Sequence, residues 1–112
     1  MAIRLSKPWI PIDEGLAGLH GHLGVFQLAD AEQQTIYIGY AGGNSLYGLR
    51  GEVTAAVKEV AECVFLRVEI TTAYPSRYRE LMMIHVADHG SPPAANKPTE
   101  QTLTLGKLSP AG

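Results

Sequence analysis

Strand-like runs of apolar residues alternate with polar segments in the first half of the chain. The run Gly24 to Leu28 is followed by the polar segment Asp30 to Gln34, after which β-branched and aromatic residues resume at Thr35 to Ile38. Turn-forming residues between two such runs are typical of a β-hairpin. The pattern therefore predicts two antiparallel strands, and by itself it also describes any ordinary half-buried sheet edge.

A helix is predicted after the hairpin. The paired glycines Gly42 and Gly43 favour a turn, and Asn44 or Ser45 is the predicted helix N-cap. Beyond this cap, apolar residues recur at spacings of three and four and would form one buried stripe: Leu46, Leu49, Val53, Val57 and Val60. Arg50 lies on another side of the same helix.

The second half of the chain predicts one more strand and one more helix. Apolar and polar residues alternate from Cys63 to Thr71, as in a strand with one buried face. Pro75 and Ser76 begin a helix that runs to about His89 and ends at Gly90. The order β-β-α-β-α has too few helices for a doubly wound sheet. We predict an α+β fold with a small, three-stranded, mostly antiparallel sheet flanked by helices.

The length of 112 residues is that of one domain. Residues 1–22 hold several prolines and glycines with a few apolar residues between them, and we expect an N-terminal arm with a short helix near Asp13 to His20. The domain is predicted to span 23–97. Residues 98–112 are expected to form a C-terminal tail.

Charge and cysteine content limit the classes of partner. Nine Lys and Arg stand against eleven Asp and Glu, so the chain has no general electrostatic footprint for a polyanion, although a local patch stays open. Cys63 is the single cysteine and excludes an intramolecular disulfide. No apolar run approaches the roughly 20 residues of a membrane span. We expect a cytoplasmic protein that does not interact with membranes.

The two strands of the hairpin carry a pair of triads, Gly24-Val25-Phe26 and Tyr37-Ile38-Gly39, with thirteen positions from the first glycine to the tyrosine. In spacing and residue type, the segment 24–96 resembles the GIY-YIG nuclease domain. The resemblance implies a three-stranded sheet flanked by helices, with an active site on one face of the sheet. It also implies a divalent-metal-dependent endonuclease that hydrolyses DNA with Mg²⁺ or Mn²⁺.

The resemblance assigns roles to individual residues. The catalytic set implied by it comprises Tyr37 as general base, Arg50 on the phosphate, Glu80 as metal ligand and Asn96 as a positioning residue after a proline-containing loop. The substrate contacts expected near them are Gly39, Tyr40, Tyr47 and Arg50.

The chemistry of these side chains suits phosphodiester hydrolysis, which requires an activated water and a counter-charge for the developing negative charge. Glu80 supplies a hard oxygen ligand for Mg²⁺ or Mn²⁺. Arg50 supplies a forked, permanently charged donor for a phosphate. Tyr37 is a poor base at its ordinary pKa of about 10 unless a nearby cation favours the phenolate.

The chain departs from the family pattern at three positions. Phe26 replaces the tyrosine usual in the first triad, Thr54 stands where a histidine or tyrosine is often found, and Tyr40 stands where several members carry lysine. These departures leave a second hypothesis open: a catalytically decayed module that keeps the fold and binds nucleic acid or protein. A third hypothesis is an accidental resemblance, in which Tyr37, Arg50 and Glu80 do not share one face.

Overall fold

The hydrophobic pattern produces four strands and three helices within residues 5–96, which are the residues that the computed structural model describes. In chain order they are β1 (Ile10–Pro11), α1 (Ile12–Ala17), β2 (Gly24–Ala29), β3 (Thr35–Ala41), α2 (Gly48–Glu59), β4 (Phe65–Ile70) and α3 (Tyr74–His89). The predicted α+β class is confirmed. The predicted tail, 98–112, lies outside the described residues.

All neighbouring strands pair antiparallel, in the order β1-β4-β2-β3. The predicted hairpin forms β2 and β3, with Phe26 opposite Gly39 and Leu28 opposite Tyr37. The prediction of three strands was one too few, because Ile10 pairs with Leu66 to form the very short β1. A strand of two residues has no alternation that a sequence pattern could reveal.

The helices cover opposite faces of the sheet. Successive side chains of a strand point to opposite faces, so Phe26 and Leu28 of β2 face one way and Val25 faces the other. One core cluster joins the first face to α1 and α2: Ile12, Leu19, Phe26, Leu28, Ala41, Leu49, Val53, Ala56, Val60 and Leu66. The other joins the second face to α3: Leu5, Val25, Ile38, Tyr78, Leu81 and Met82. Residues of the predicted arm, 1–22, contribute to both clusters.

The start of α2 differs from the prediction. The helix begins at Gly48, after Tyr47, and no side chain caps it. Ser45 is not the N-cap, and Leu46 does not belong to the buried stripe, since 84% of its surface is exposed. Gly48 has a φ of 60°, and a Cβ there would lie 2.3 Å from the carbonyl carbon of Gly21. This close approach of two backbone segments requires glycine and sets the true beginning of the helix.

Backbone carbonyls take the place of the missing side-chain cap. The first turn of α2 donates from Leu49 N to His22 O at 2.7 Å and from Arg50 N to His20 O at 3.1 Å. The loop before β2 therefore satisfies N–H groups that a helix start leaves without partners.

The predicted end of α3 is confirmed. Gly90 adopts a left-handed conformation with a φ of 80° and donates its N–H to Val86 O at 2.7 Å. This is the usual glycine termination of a helix. Within residues 5–96, no helix has the length and hydropathy needed to span a bilayer.

Candidate functional site

A pocket of about 510 Å³ lies beside the edge strand β3, and both α2 and α3 contribute to its lining. The sheet supplies Phe26, Tyr37, Gly39 and Tyr40, and the loop 42–45 closes one side. The helices supply the remaining residues of the lining, which are Glu52, Tyr74, Pro75, Tyr78 and Arg79. The pocket thus combines aromatic rings with one carboxylate and one guanidinium.

Gly39 is needed where the two triads meet. A Cβ at this position would lie 2.5 Å from the ring of its cross-strand partner, Phe26. Without that Cβ, the Phe26 ring fits against the strand and lies 5.9 Å from the ring of Tyr37, centroid to centroid. The triad glycine therefore has a packing role that fixes the sheet side of the pocket.

Three tyrosines form an aromatic cluster on the α3 side of the pocket. The rings of Tyr40 and Tyr74 are nearly parallel, with centroids 5.9 Å apart and an interplanar angle of 7°. The Tyr78 ring is tilted against Tyr40 at 4.9 Å. Tyr40 remains 42% exposed, so one part of this cluster is accessible to a ligand.

The loop 42–45 is tied to both helices. Gly43 N donates to Tyr74 Oη of α3 at 3.1 Å. Gly42 N donates to Ser45 Oγ at 3.0 Å, and the Ser45 hydroxyl donates to Glu52 Oε2 of α2 at 2.8 Å. Ser45, predicted as a helix cap, instead orders the loop that borders the pocket.

Glu52 is the carboxylate of the pocket, and it was not among the predicted site residues. It is half-buried and also lines a second pocket of about 200 Å³, which it shares with Tyr37. Arg50, the predicted residue, lies two positions earlier on the same helix. Side chains two apart on a helix do not face the same way, so α2 presents Glu52 rather than Arg50 to the pocket.

Arg50 binds the backbone of the chain itself. Its Nη1 donates to Leu16 O at 2.9 Å and to Leu19 O at 3.1 Å, and it does not line the pocket. The guanidinium therefore fastens the end of α1 to the first turn of α2. Its predicted role on a phosphate stays a prediction, and phosphate would have to compete with these two carbonyls.

Glu80 lies on the other face of the sheet from Tyr37. It accepts a hydrogen bond from Arg77, which also binds Glu69. Glu69 pairs with Val25, on the face that α3 covers, whereas Tyr37 projects toward the opposite face. Burial opposes the positive charge of Arg77, but its hydrogen bonds to both carboxylates outweigh this and raise its pKa.

Glu80, the metal ligand implied by the family resemblance, belongs to this ion cluster. A cation at Glu80 would have to share the carboxylate with the positively charged Arg77. Among residues 5–96, no group of three or more His, Cys, Asp and Glu side chains is placed to hold a metal ion. Mg²⁺ or Mn²⁺ at Glu80 therefore stays a prediction from the sequence.

Asn96 completes the outer edge of β3. Its buried side chain accepts from Ile38 N and donates to Ile38 O, both at 3.0 Å. Ala95 N donates to Ile36 O at 2.8 Å, so the segment after α3 continues the hydrogen bonding of the sheet. Asn96 borders the pocket strand without lining the pocket.

Tyr47, a predicted substrate contact, lies outside the pocket lining and is 69% exposed. Its side chain packs over Gly51 on the first turn of α2, where an added Cβ would come within 2.8 Å of Tyr47 Cβ. The exposed ring is thus held against the helix, beyond the loop 42–45.

The structure brings together Tyr37, Gly39 and Tyr40 of the predicted set and leaves the other predicted residues outside this pocket. The residues that sequence reasoning missed are Glu52, Tyr74, Tyr78 and Arg79. Tyr74 and Tyr78 are four positions apart, a spacing that places two tyrosines on one helix face. That spacing was the available signal for them.

No protein-family model and no curated protein matches the chain. The resemblance to the GIY-YIG nuclease domain therefore stays a prediction from the sequence, based on the two triads and on Arg50, Glu80 and Asn96.

Proposed function

We propose that this chain is a binding module with a GIY-YIG-like fold, and that the pocket beside β3 binds one unpaired base of a nucleic acid. The observation that carries the proposal is the contrast in side-chain use. Four tyrosines line one open pocket, while Arg50 and Glu80, the predicted catalytic charges, are engaged in contacts within the chain.

The tyrosines suit a flat, aromatic ligand. Stacking of a base on an aromatic side chain contributes roughly 1–3 kcal/mol, and it tolerates any base because each has a π-face. A volume of about 510 Å³ falls in the ordinary range for sites that hold small molecules. The exposed part of the Tyr40 ring offers the stacking surface.

The charges indicate recognition of a base more than of a phosphate backbone. The chain has a net charge of −2, and the pocket holds one acidic and one basic side chain, Glu52 and Arg79. Binding should therefore depend weakly on salt. A single phosphate contact in a single strand gives a logarithmic slope of only about −0.7.

Fluorescence anisotropy with a labelled single-stranded oligonucleotide tests the proposal. Tyr40→Ala should weaken binding about 5- to 150-fold, the equivalent of one lost stacking contact. The matched control is Met83→Ala, on an exposed side chain of α3 outside the pocket lining, and it should bind like the parent. Equal binding by the parent and Tyr40→Ala, or no binding by the parent, would contradict the proposal. A module that binds protein instead would give the second result.

Endonuclease activity is the second candidate, favoured by one observation. A phenol, a carboxylate and a guanidinium line the same pocket, supplied by Tyr37, Glu52 and Arg79 in place of the predicted set. Cleavage of supercoiled plasmid with Mg²⁺ or Mn²⁺ should be compared for the parent, Glu52→Gln and Glu80→Gln. Nicking that is lost only in Glu52→Gln supports this candidate. Nicking lost in Glu80→Gln supports the assignment made from the sequence, and intact plasmid throughout supports the binding module.

A cytoplasmic setting and DNA as the nucleic acid both stay predictions from the sequence. Binding of matched DNA and RNA strands in the anisotropy experiment would distinguish the two nucleic acids.

A further inference from the structure

The pocket carries hydrogen-bonding groups of opposite character on its two helices. Glu52 of α2 presents a carboxylate, which only accepts hydrogen bonds, and Arg79 of α3 presents a guanidinium, which only donates them. The two helices cover opposite faces of the sheet, and four tyrosines line the pocket together with them. A planar ligand that stacks on the tyrosines would therefore meet acceptors at one edge and donors at another.

The orientation of the Glu52 carboxylate is fixed by the loop. Ser45 Oγ accepts a hydrogen bond from the N–H of Gly42, and its hydroxyl donates a hydrogen bond to Glu52 Oε2. Within residues 5–96, Ser45 is the one hydrogen-bonding partner of the Glu52 side chain. Since a carboxylate has about four acceptor positions, both oxygens retain capacity for a ligand, and Oε1 retains all of its own.

We infer that the pocket is selective for guanine, with Glu52 accepting from the N1–H and N2 amino group and Arg79 donating to O6 and N7. This inference rests on the proposed function and names the base that the site takes. Guanine is the base that presents two adjacent donors on one edge, which match the two oxygens of a carboxylate. Its O6 and N7 acceptors match the forked donors of arginine, the commonest specific contact to guanine.

The other bases satisfy fewer of these groups. Adenine and cytosine each present one amino group to a carboxylate, beside a ring nitrogen that only accepts. Thymine and uracil present one imide N–H between two carbonyl oxygens, which a carboxylate repels. The expected order of affinity is guanine, then adenine and cytosine, then thymine and uracil.

Oligothymidylate strands that carry one central substituted nucleotide test the inference. A central guanine should raise affinity over the thymine strand about 5- to 150-fold for each bidentate contact formed. Inosine, which lacks only the 2-amino group, should lose the N2 contact to Glu52 and keep the N1–H contact. A 7-deazaguanine, which lacks only N7, should lose the N7 contact to Arg79 and keep the O6 contact. The same affinity for all these strands would overturn the inference.

Variants assign the selectivity to the carboxylate. Glu52→Gln should bind guanine and inosine strands alike. Its affinity for the thymine strand should equal or exceed that of the parent, because the neutral amide does not repel the carbonyl oxygens of thymine. Glu62→Gln, an exposed glutamate just beyond α2, is the matched control and should keep the preference for guanine. Thermal unfolding of both variants checks that the fold is intact, and a preference for guanine over inosine that persists in folded Glu52→Gln would also overturn the inference.

The outcomes separate this inference from the proposed function. Strands that bind without base preference, and lose affinity in Tyr40→Ala, would leave the binding module standing and remove guanine selectivity. Failure of every strand to bind removes both. Competition by free guanosine monophosphate, with uridine monophosphate as control, identifies the source of the base. If free guanosine monophosphate competes as well as the guanine strand does, the site takes a mononucleotide, and if it competes less well, the site takes a base within a strand. Either result, with no competition by uridine monophosphate, supports guanine recognition.

Discussion

Helix α3 takes part in two charged regions that differ in one respect. Over β4, Arg77 joins Glu69 and Glu80 in a cluster whose charges are paired with each other. Over β3, Tyr74 and Arg79 contribute to an open pocket together with Glu52 from another helix. Residue type alone therefore does not identify a functional site. A carboxylate and an arginine join in an ion cluster in one place and line an open pocket in the other.

The largest effect on stability is expected when Arg77 is removed from the cluster over β4. Arg77→Ala leaves two half-buried carboxylates without their cation, and we expect a loss of unfolding free energy of about 2–3 kcal/mol, below the cost for a fully buried pair because the glutamates are partly exposed. Urea denaturation measures the loss. The pocket should keep its ligand affinity in this variant, provided that binding is measured where the protein is folded.

Arg79→Ala is the matched control on the same helix. It should lower ligand affinity more than Arg77→Ala does, and destabilise the protein less. A larger loss of affinity in Arg77→Ala would mean that the cluster over β4, and not the pocket, holds the functional charges. A larger loss of stability in Arg79→Ala would mean that Arg79 contributes more to the fold than the ion cluster does.

The second prediction concerns the edge that separates the pocket strand from solvent. Asn96→Ala removes the amide that pairs with both backbone groups of Ile38, so a loss of about 1–3 kcal/mol in unfolding free energy is expected. Asn96→Asp keeps an acceptor for Ile38 N but places a buried carboxylate oxygen against Ile38 O, so its loss at neutral pH should be larger than that of Asn96→Ala. Stability unchanged in Asn96→Ala would show that water replaces the amide fully.

The sequence predicted most of the fold because its long elements have strong patterns. Alternation predicted β2, β3 and β4, and the glycine at position 90 marked the end of α3. The strand β1 has two residues and no period to detect. The long strands and the end of α3 leave a pattern in the local sequence and could be predicted. The strand β1 leaves no such pattern and could not.

The site was harder to predict because it depends on which face of a helix meets the sheet. Moving the start of α2 from Ser45 to Gly48 removed Leu46 from the buried stripe. The helix then presents Glu52, not Arg50, to the pocket. Likewise, Arg77 and Glu80 turn toward β4, while Arg79 between them turns toward β3. No spacing rule within one helix fixes such orientations, since they follow from contacts between distant segments.

A smaller effect on stability and affinity is expected at the loop 42–45. Tyr74→Phe keeps the aromatic ring but removes the hydroxyl that accepts the Gly43 N–H. We expect at most about 1 kcal/mol of lost stability, a few-fold loss of ligand affinity, and faster hydrogen exchange at the Gly43 amide. Unchanged exchange at that amide would show that other contacts hold the loop.

The smallest expected effect lies at the far end of α3, where a histidine links the helix to the segment after it. His85 Nδ1 lies 3.0 Å from Ser91 O. Burial lowers the pKa of His85, and the nearby His89 acts in the same direction, whereas the hydrogen bonds to Ser91 O and the Thr35 backbone and the charge of Asp88 oppose them. The net lowering means that the unfolded chain binds a proton at His85 more readily than the folded chain does.

The contribution of His85 to the free energy of unfolding is therefore fully present above the ordinary histidine pKa of about 6.5. It declines as the pH falls through that value toward the lower pKa of the folded state. Urea unfolding at a series of pH values should show the decline. The variant His85→Gln has no titrating ring at this position, so its decline should be shallower than that of the parent. Parallel curves for the two proteins would place the acid sensitivity elsewhere, whereas a shallower curve with unchanged ligand affinity would show that this end of α3 serves stability while its other end serves the pocket.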